Sequence, residues 1–552
     1  MSKIKIQIEN GKEIFVEKGT TIHKIIKDNS LDNNLTVTLG RFNGKLLELY
    51  KKIYDEGKLE LIDISNGIAM RTYIRTLKFI LITSVLEIFP KAKISIEHSL
   101  SKGLYCEINK ETKLTEIDVK KIKNKMEEII NDDKHIKKSE VSKEEAIEIF
   151  RDYGMEDKLR LLKHSKKKRV KLYSLCGRYD YFYGPMAYST GIIKNFELRY
   201  YKPGFILSFP TIHNPNKIPE FKEQKKLSKI FYETEVWGNI LNVGDVGSLN
   251  DKVVDGEIHE MVMISEALHE KKIANIADMI SSKEKIKIVL IAGPSSSGKT
   301  TFTKRLGIQL RVNGKIPIQV SLDDYFVDRE HTPKDDNGNY DFESIYALDL
   351  DLFNKNLCEL LEGKNVLLPK FDFLTGKRSW ADSETYVPEN GVLLIEGIHG
   401  LNEILTSSIK KENKFKVYIS ALTQLNLDNH NRIATSDVRR IRRIVRDYLS
   451  RGYGAEDTLK MWPSIKKGEE KNIFPFQEEA DVMFNSTLVY ELCVLRKYAL
   501  PQLKKIEETS PVYYEAKRLI SFLNFFKDVE SELVPGNSIL KEFVGGSVFY
   551  KY

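Results

Sequence analysis

Residues 3–8, KIKIQI, alternate apolar and polar positions without a break, the pattern of a strand with one buried face. Asn10-Gly11 follows as a hairpin signal, and EIFVEKG reads as the returning strand. Thr20-Thr21 then opens IHKIIKDN, whose apolar spacing is helical and whose threonines suit an N-cap. Short strands are predicted in VTLGRFNGKLLEL and LELIDI, which makes residues 1–64 a compact α+β module of β-grasp type. A second α+β module is read over 65–223, and a helical connector over 224–285, charged and broken at VGDVGSLND. The pattern changes at 286–293, IKIVLIAG, a continuous apolar run of the kind buried on both faces of a parallel sheet. IPIQVSLDDYFVD and VLLIEG supply further strands, so residues 286–505 read as a doubly wound parallel α/β domain, with a helical tail over 506–552.

Composition narrows the class. A chain of 552 residues predicts two to four domains, and 41% apolar with 30% charged residues is globular. A net charge of +8, from 87 basic and 79 acidic residues, gives no general argument for nucleic-acid binding. The four cysteines, Cys106, Cys176, Cys358 and Cys493, lie far apart, which predicts neither a disulfide framework nor a zinc site. The N-terminus has no apolar core segment of the secretory kind. The most apolar window, Leu77 to Phe89, is short and carries Lys78 and Glu87, so no membrane span and a cytoplasmic location are expected. The basic run Lys166 to Arg169 reads as an exposed loop or helix end rather than an RNA patch, since no aromatic residue is interleaved.

The chemistry concentrates after the apolar strand. Gly293-Pro-Ser-Ser-Ser-Gly298-Lys299-Thr300-Thr301 is a G-x-x-x-x-G-K-T phosphate loop between a strand and a helix. Its glycines let the amides around Ser295, Ser296, Ser297 and Thr301 wrap phosphate oxygens of ATP. Lys299 is placed to reach the β- and γ-phosphates, and Thr300 offers a hydroxyl to Mg²⁺. Asp323, at the end of the next strand, suits a general base for an attacking hydroxyl or a group that orders Mg²⁺. An Asx turn made by Asp323-Asp324 is the competing structural reading. Glu396 ends the VLLIEG strand where an acid holds Mg²⁺ through water. Residues 437–446, DVRRIRRIVR, put Arg439, Arg443 and Arg446 on one helical face, followed by Arg451. That spacing predicts a lid closing over phosphates, with a nucleic-acid stripe as the alternative.

Across 286–500 the order and spacing of GPSSSGKTT, SLDDYF, NYDFES, GKNVLLPKFDFLTGKR, LLIEGIHGL and DVRRIRRIVRDYLSRG resemble the uridine kinase and phosphoribulokinase family. The resemblance implies Asp323 as base, with Lys299 and Arg446 serving catalysis and Arg446 and Arg451 gripping ATP phosphates. It implies Asp341 on the ribose hydroxyls of a nucleoside, and Phe371 and Phe373 flanking the base. Phe326, Arg378 and Arg443 complete the implied substrate contacts. Three positions depart: Gly376 stands where uridine kinases have a base-reading His, Tyr453 replaces an Arg and Met461 a Gln. Strict pyrimidine specificity is therefore not expected.

The N-terminal elements resemble the TGS domain of threonyl-tRNA synthetase. MRTYIRTLKFILITSVLEIFPKAKISIEHSLSKGLYCEI and FYGPMAYSTGIIKNFELRYY resemble its editing domain. Arg71 and Arg75 stand in place of the editing histidines, and Phe182 and Met186 in place of the Cys and His. Neither metal binding nor hydrolysis is expected from such a set. The expectation for the whole chain is an ATP- and Mg²⁺-dependent kinase acting on a hydroxyl of a small, nucleoside-like metabolite, with RNA contact through the N-terminal modules as a further implied partner. The alternative is an RNA- or ribosome-associated regulator that uses the P-loop as a nucleotide switch.

Overall fold

The computed structural model describes residues 3–9, 11–31, 35–334, 338, 340–372, 375–423 and 425–550. Asn10 of the hairpin signal and Phe373 of the implied substrate set lie outside these residues. The chain divides into two compact units, Met1–Gln224 with Asn242–Asp251 and Gln424–Ile433, and Lys225–Leu241 with Lys252–Thr423 and Ala434–Tyr552.

The first unit opens with a five-stranded mixed sheet, in the order Glu13–Glu17, Lys3–Ile8, Gly57–Asp63, Val37–Phe42, Lys45–Glu48. Ile4, Ile6 and Ile8 point to one face and pack with Ile22, Ile25 and Ile26 of the helix Ile22–Asp28, whose amide at Lys24 is capped by the Thr21 hydroxyl. A four-stranded antiparallel sheet follows, covered by the helices Gly67–Ile88 and Glu116–Asn131. The Glu116–Asn131 helix starts in a capping box. The Thr115 hydroxyl accepts from the Asp118 amide at 3.2 Å, and the Asp118 carboxylate accepts from the Thr115 amide at 3.0 Å. Thr115→Ala is expected to cost about 1 kcal/mol of stability, read by calorimetry as a melting transition about 2–4 °C lower. Lys166 to Lys168 form an exposed loop after a helix, and Arg169, also exposed, opens the strand Arg169–Leu175.

The second unit is built on a five-stranded, wholly parallel sheet. Its order is Ile316–Ser321, Gly391–Glu396, Ile288–Ala292, Lys414–Ser420, Val482–Asn485. The apolar run at Ile288–Ala292 is buried throughout because neighbours flank it on both sides and helices cover the sheet.

Three stretches fold differently from their reading in the sequence. The connector at 224–285 is not a separate linker: Leu227, Ile230 and Phe231 on Lys225–Ile240, and Met261, Ile273 and Ile276 on Ile258–Ser281, are buried in the second unit. Amphipathic helices of this kind need a core to cover their apolar faces. The tail beyond 505 likewise buries Leu519, Phe522, Leu540 and Phe543 in that unit. The hairpin Asn426–Asp428 with Asn431–Arg432 interrupts the kinase-like sequence yet belongs to the first unit, where the Ile96 amide donates to the Asn429 carbonyl at 2.7 Å. Among the described residues, no helix is long and apolar enough to cross a membrane.

Candidate active site at the phosphate loop

The carboxyl ends of three adjacent parallel strands meet here. Register sets Ile291 and Ser321 on either side of Glu396, so the P-loop, the Glu396 carboxylate and the turn carrying Asp323 leave the sheet side by side. Each glycine of the loop has a steric reason. A β-carbon on Gly293 would lie 2.0 Å from the Ile419 carbonyl oxygen, and Gly298 has φ +85° immediately before the helix Lys299–Val312. Ser296 also adopts a left-handed backbone, at φ +58°. Lys299 Nζ donates to the Gly293 carbonyl at 3.0 Å and to that of Pro294 at 3.3 Å, curled over its own loop.

Asp323 sits in the 3₁₀ turn Leu322–Tyr325, and its amide donates to Ser321 Oγ. Its carboxylate faces open cleft, but the surrounding protein pushes its pKa up, against the pull of Lys299, Arg451 and Arg446. Glu396 is pushed up to about 7, chiefly by burial, with Glu542 and Asp323 raising it further and Lys299 and the Thr300 hydroxyl opposing. Burial also lifts Glu343 to about 7, beside Glu469 and within the field of Arg443, Lys299 and Asp323.

The donor set fits Mg²⁺. Glu396 Oε2 is buried and has no hydrogen-bond partner among the described residues, and the Thr300 hydroxyl and Asp323 add hard oxygens. Among the described residues no three His, Cys, Asp or Glu side chains gather as a metal cluster. An ion held by one or two protein oxygens plus phosphate and water is how Mg²⁺ usually binds.

The arginine helix, Thr435–Ser450, departs from the expected lid. Arg439 is buried and bidentate on Glu469, and its Nη1 also donates to the Ser295 carbonyl at 3.2 Å. Arg442 has no exposed surface and is held by Glu491, by Ser486 and by the Ser296 carbonyl. Buried guanidinium groups need protein carboxylates, so this half of the helix is a fixed wall behind the loop. Arg443 donates to Ser295 Oγ at 2.7 Å and to Asp447 at 3.0 Å, which places it on the loop side rather than among the aromatic residues. Arg446 and Arg451 gather around the buried Asp447, at 3.4 and 3.8 Å, and lie in the field of Asp323.

An aromatic group follows Asp323 in the chain and packs at the edge of the core beneath the sheet. Phe326 is buried, with its ring centroid 5.6 Å from that of Phe371 and 6.3 Å from that of Phe342. The Phe371 amide donates to Asp324 at 3.3 Å, tying the ribbon Pro369–Asp372 with Lys377–Trp380 to the turn Leu322–Tyr325. Arg378 is taken up in holding this ribbon: it donates to Asp349 at 2.9 Å and to the Phe326 carbonyl at 3.0 Å. Asp341 Oδ1 accepts from the Glu343 amide at 3.2 Å. Gly376 has φ +71°, and a β-carbon there would meet Arg329 Nε at 2.7 Å, so the position has no space for a histidine.

In the first unit, the positions that carry editing chemistry in the resembling synthetases are part of the packing. Phe182 and Met186 are core residues. Arg75 Nη1 donates to the Pro185 carbonyl, and Glu48 accepts from Tyr173 and from the Met186 amide.

Sequence reasoning missed Asp447, Glu469, Glu343 and Glu542. Only Asp447 had a local signal, four residues after Arg443 on the same helix.

A parallel sheet with a phosphate loop, carboxylates on neighbouring strand ends and clustered arginines defines a P-loop kinase. Residues 288–491 match the model of the Phosphoribulokinase / Uridine kinase family. The N-terminal region matches threonine–tRNA ligases. That of Thermotoga maritima is 33% identical over 199 residues, covering 36% of this chain and 30% of the ligase. That of Clostridium kluyveri is 29% identical over 196 residues, covering 35% and 31%. The chain thus spans about 30% of the length of these curated relatives. Among solved structures, the D-glycerate 3-kinase from Cryptococcus neoformans var. grubii aligns at 14% identity and a TM-score of 0.22, covering 46% of this chain and 87% of that one.

Proposed function

We propose that the protein transfers the γ-phosphoryl group of ATP to a hydroxyl of a small metabolite, with nucleosides as the leading acceptor class. The observation that carries this reading is Asp323, in the field of Lys299, Arg451 and Arg446 and adjoining Asp324, whose carboxylate accepts from the Phe371 amide. A pure nucleotide switch has no need of a carboxylate beside the phosphate charges that could take a proton from an acceptor hydroxyl.

In the reaction, loop amides and Lys299 hold the phosphates. The acceptor oxygen attacks the γ-phosphorus while Asp323 takes its proton, and the bond to the β–γ bridging oxygen breaks to release ADP. The raised pKa of Asp323 suits it to accept that proton. Arg446 and Arg451 neutralise charge on the transferring group. Mg²⁺ at Thr300 and Glu396 would supply further neutralisation of the phosphate oxygens. The aromatic face offers stacking to a base, while Gly376 withholds the hydrogen bond that would select a pyrimidine.

The test is ATP consumption with Mg²⁺ across nucleosides, pentoses and polyols. With the accepted substrate, Phe371→Ala is expected to raise KM about tenfold at little cost in kcat, since one stacking contact is worth about 1–3 kcal/mol. Turnover with no acceptor, or binding without turnover, would instead favour the nucleotide switch. For residues 1–64 and 65–223 the reading is a TGS-like and an editing-like module that contact RNA and lack editing hydrolysis, supported by the ligase match.

A further inference from the structure

The end of the chain returns to the phosphate loop. Thr301, in the first turn of the helix after the loop, donates its amide to Glu542 Oε2 at 3.1 Å and its hydroxyl to the same oxygen at 2.8 Å. The Tyr550 hydroxyl lies 2.8 Å from that Thr301 hydroxyl. Close by, Ile539 packs over Gly298, where a β-carbon would come within 2.4 Å of Ile539 Cγ2. The Phe543 ring lies 5.0 Å from the guanidinium carbon of Arg442, which itself holds the Ser296 carbonyl. The segment around Glu542 is therefore seated on the loop by apolar and polar contacts together.

The amides of a P-loop and of the helix turn behind it are the groups that cradle phosphate oxygens, and the helix dipole favours an anion there. A carboxylate oxygen receiving both the amide and the hydroxyl of one such residue reproduces the contacts a phosphate oxygen would make. Glu542 also lies near enough to Lys299 and Glu396 to enter the electrostatics of both. Two glycines at positive φ, Gly545 and Gly546, follow the short helix Lys541–Val544 and turn the chain so that Tyr550 returns to Thr301.

We infer that the C-terminal segment Ser538–Tyr550 is an autoinhibitory strap, with Glu542 holding a place that a phosphate oxygen of the nucleotide takes. This inference rests on the kinase reading of the loop. Nucleotide binding must displace the Glu542 carboxylate from Thr301, so the resting protein binds ATP more weakly than its loop alone would. Any partner that draws the strap away raises nucleotide affinity.

The experiment measures binding of a fluorescent ATP analogue with Mg²⁺ to the full-length protein and to its Glu542→Ala and Glu542→Gln variants. Hydrogen exchange of residues 538–550 is followed in the wild type with and without saturating ATP. Removing a competing charge-assisted contact is expected to tighten binding about tenfold in Glu542→Ala, and less in Glu542→Gln, which keeps an acceptor. ATP is expected to speed exchange in the strap of the wild type, a readout that needs no variant. Equal affinities with unchanged exchange would reduce Glu542 to a helix cap and overturn the inference. Weaker binding in both variants would make Glu542 part of the binding site and also overturn it. Failure of all three proteins to bind nucleotide would remove the kinase reading itself, and the strap with it.

Discussion

Asp323→Asn is expected to lower kcat about 10³-fold while leaving the affinity for ATP nearly unchanged. General-base catalysis contributes about 10²–10⁴ in rate, and amide nitrogen cannot take the proton. The substitution is nearly isosteric and the side chain faces open cleft, so folding should survive it. The pH profile sharpens the test. Desolvation by the cleft walls holds the Asp323 pKa above the ordinary value of an aspartate, so the acid limb of kcat/KM lies above about pH 4. Activity falls as pH drops through that limb, because the base becomes protonated, and the variant's residual activity should lack the limb. Retention of more than a tenth of wild-type kcat would remove Asp323 from the role of base. A loss that saturating Mg²⁺ restores would assign it to the metal instead.

The reaction centre is legible in the sequence because its signals are local. An apolar strand that ends in an acid, or in a glycine-rich loop, announces a ligand edge within ten residues, and Lys299, Thr300, Asp323 and Glu396 all arise this way. The arginine helix is legible only in part. Spacing shows that Arg439, Arg443 and Arg446 share a face, but not whether their counter-charges are phosphates or protein carboxylates. For Arg439 the partner is Glu469, 30 residues on, and this turns an expected lid residue into a buried support. What holds the loop's own amides is not legible at all. Glu469 reaches Ser295 across 174 residues and Glu542 reaches Thr301 across 241. Likewise nothing in LDNHNR says that it leaves the kinase unit. Its buried polar groups find partners at Asp157, Lys158 and Asp180, far back in the chain.

That last group carries the largest expected effect on stability: Lys158→Met should destabilise the first unit by about 3–5 kcal/mol. Lys158 is 1% exposed and its Nζ lies 2.9 Å from Asp180 and 3.0 Å from Asp428, both fully buried. His430 Nδ1 is 2.7 Å from the other Asp180 oxygen, and the Asn431 side chain donates to both oxygens of Asp428. Truncating the cation leaves two carboxylates without it in a dry interior, and methionine restores volume but not charge. The pH dependence follows from the shifts. Although burial opposes it, the Asp180 pKa is pulled well below the usual range by Lys158 and His430, so its contribution is full above about pH 4, the unfolded value, and is lost as pH falls through the lower folded one. The Lys158 pKa is raised above its range by Asp180 and Asp428 against the same burial. Its contribution is full below about pH 10.5 and is lost as pH rises past the folded value. Asp157 works the other way, since burial and Asp428 raise it and its cost appears as pH climbs above about 4, the unfolded value. Denaturant midpoints near neutral pH should therefore show the full loss in Lys158→Met. Adding Asp180→Asn and Asp428→Asn removes the stranded charges and should recover much of it. If the triple variant is no better than the single one, the loss belongs to packing against Phe150 and Phe182, whose rings lie 5.8 and 6.0 Å from the ammonium group, and not to charge. Because Asp428 comes from the middle of the kinase-like sequence, recovery in the triple variant would also show that the first unit depends on a hairpin far along the chain from its other elements, which end at Asp251.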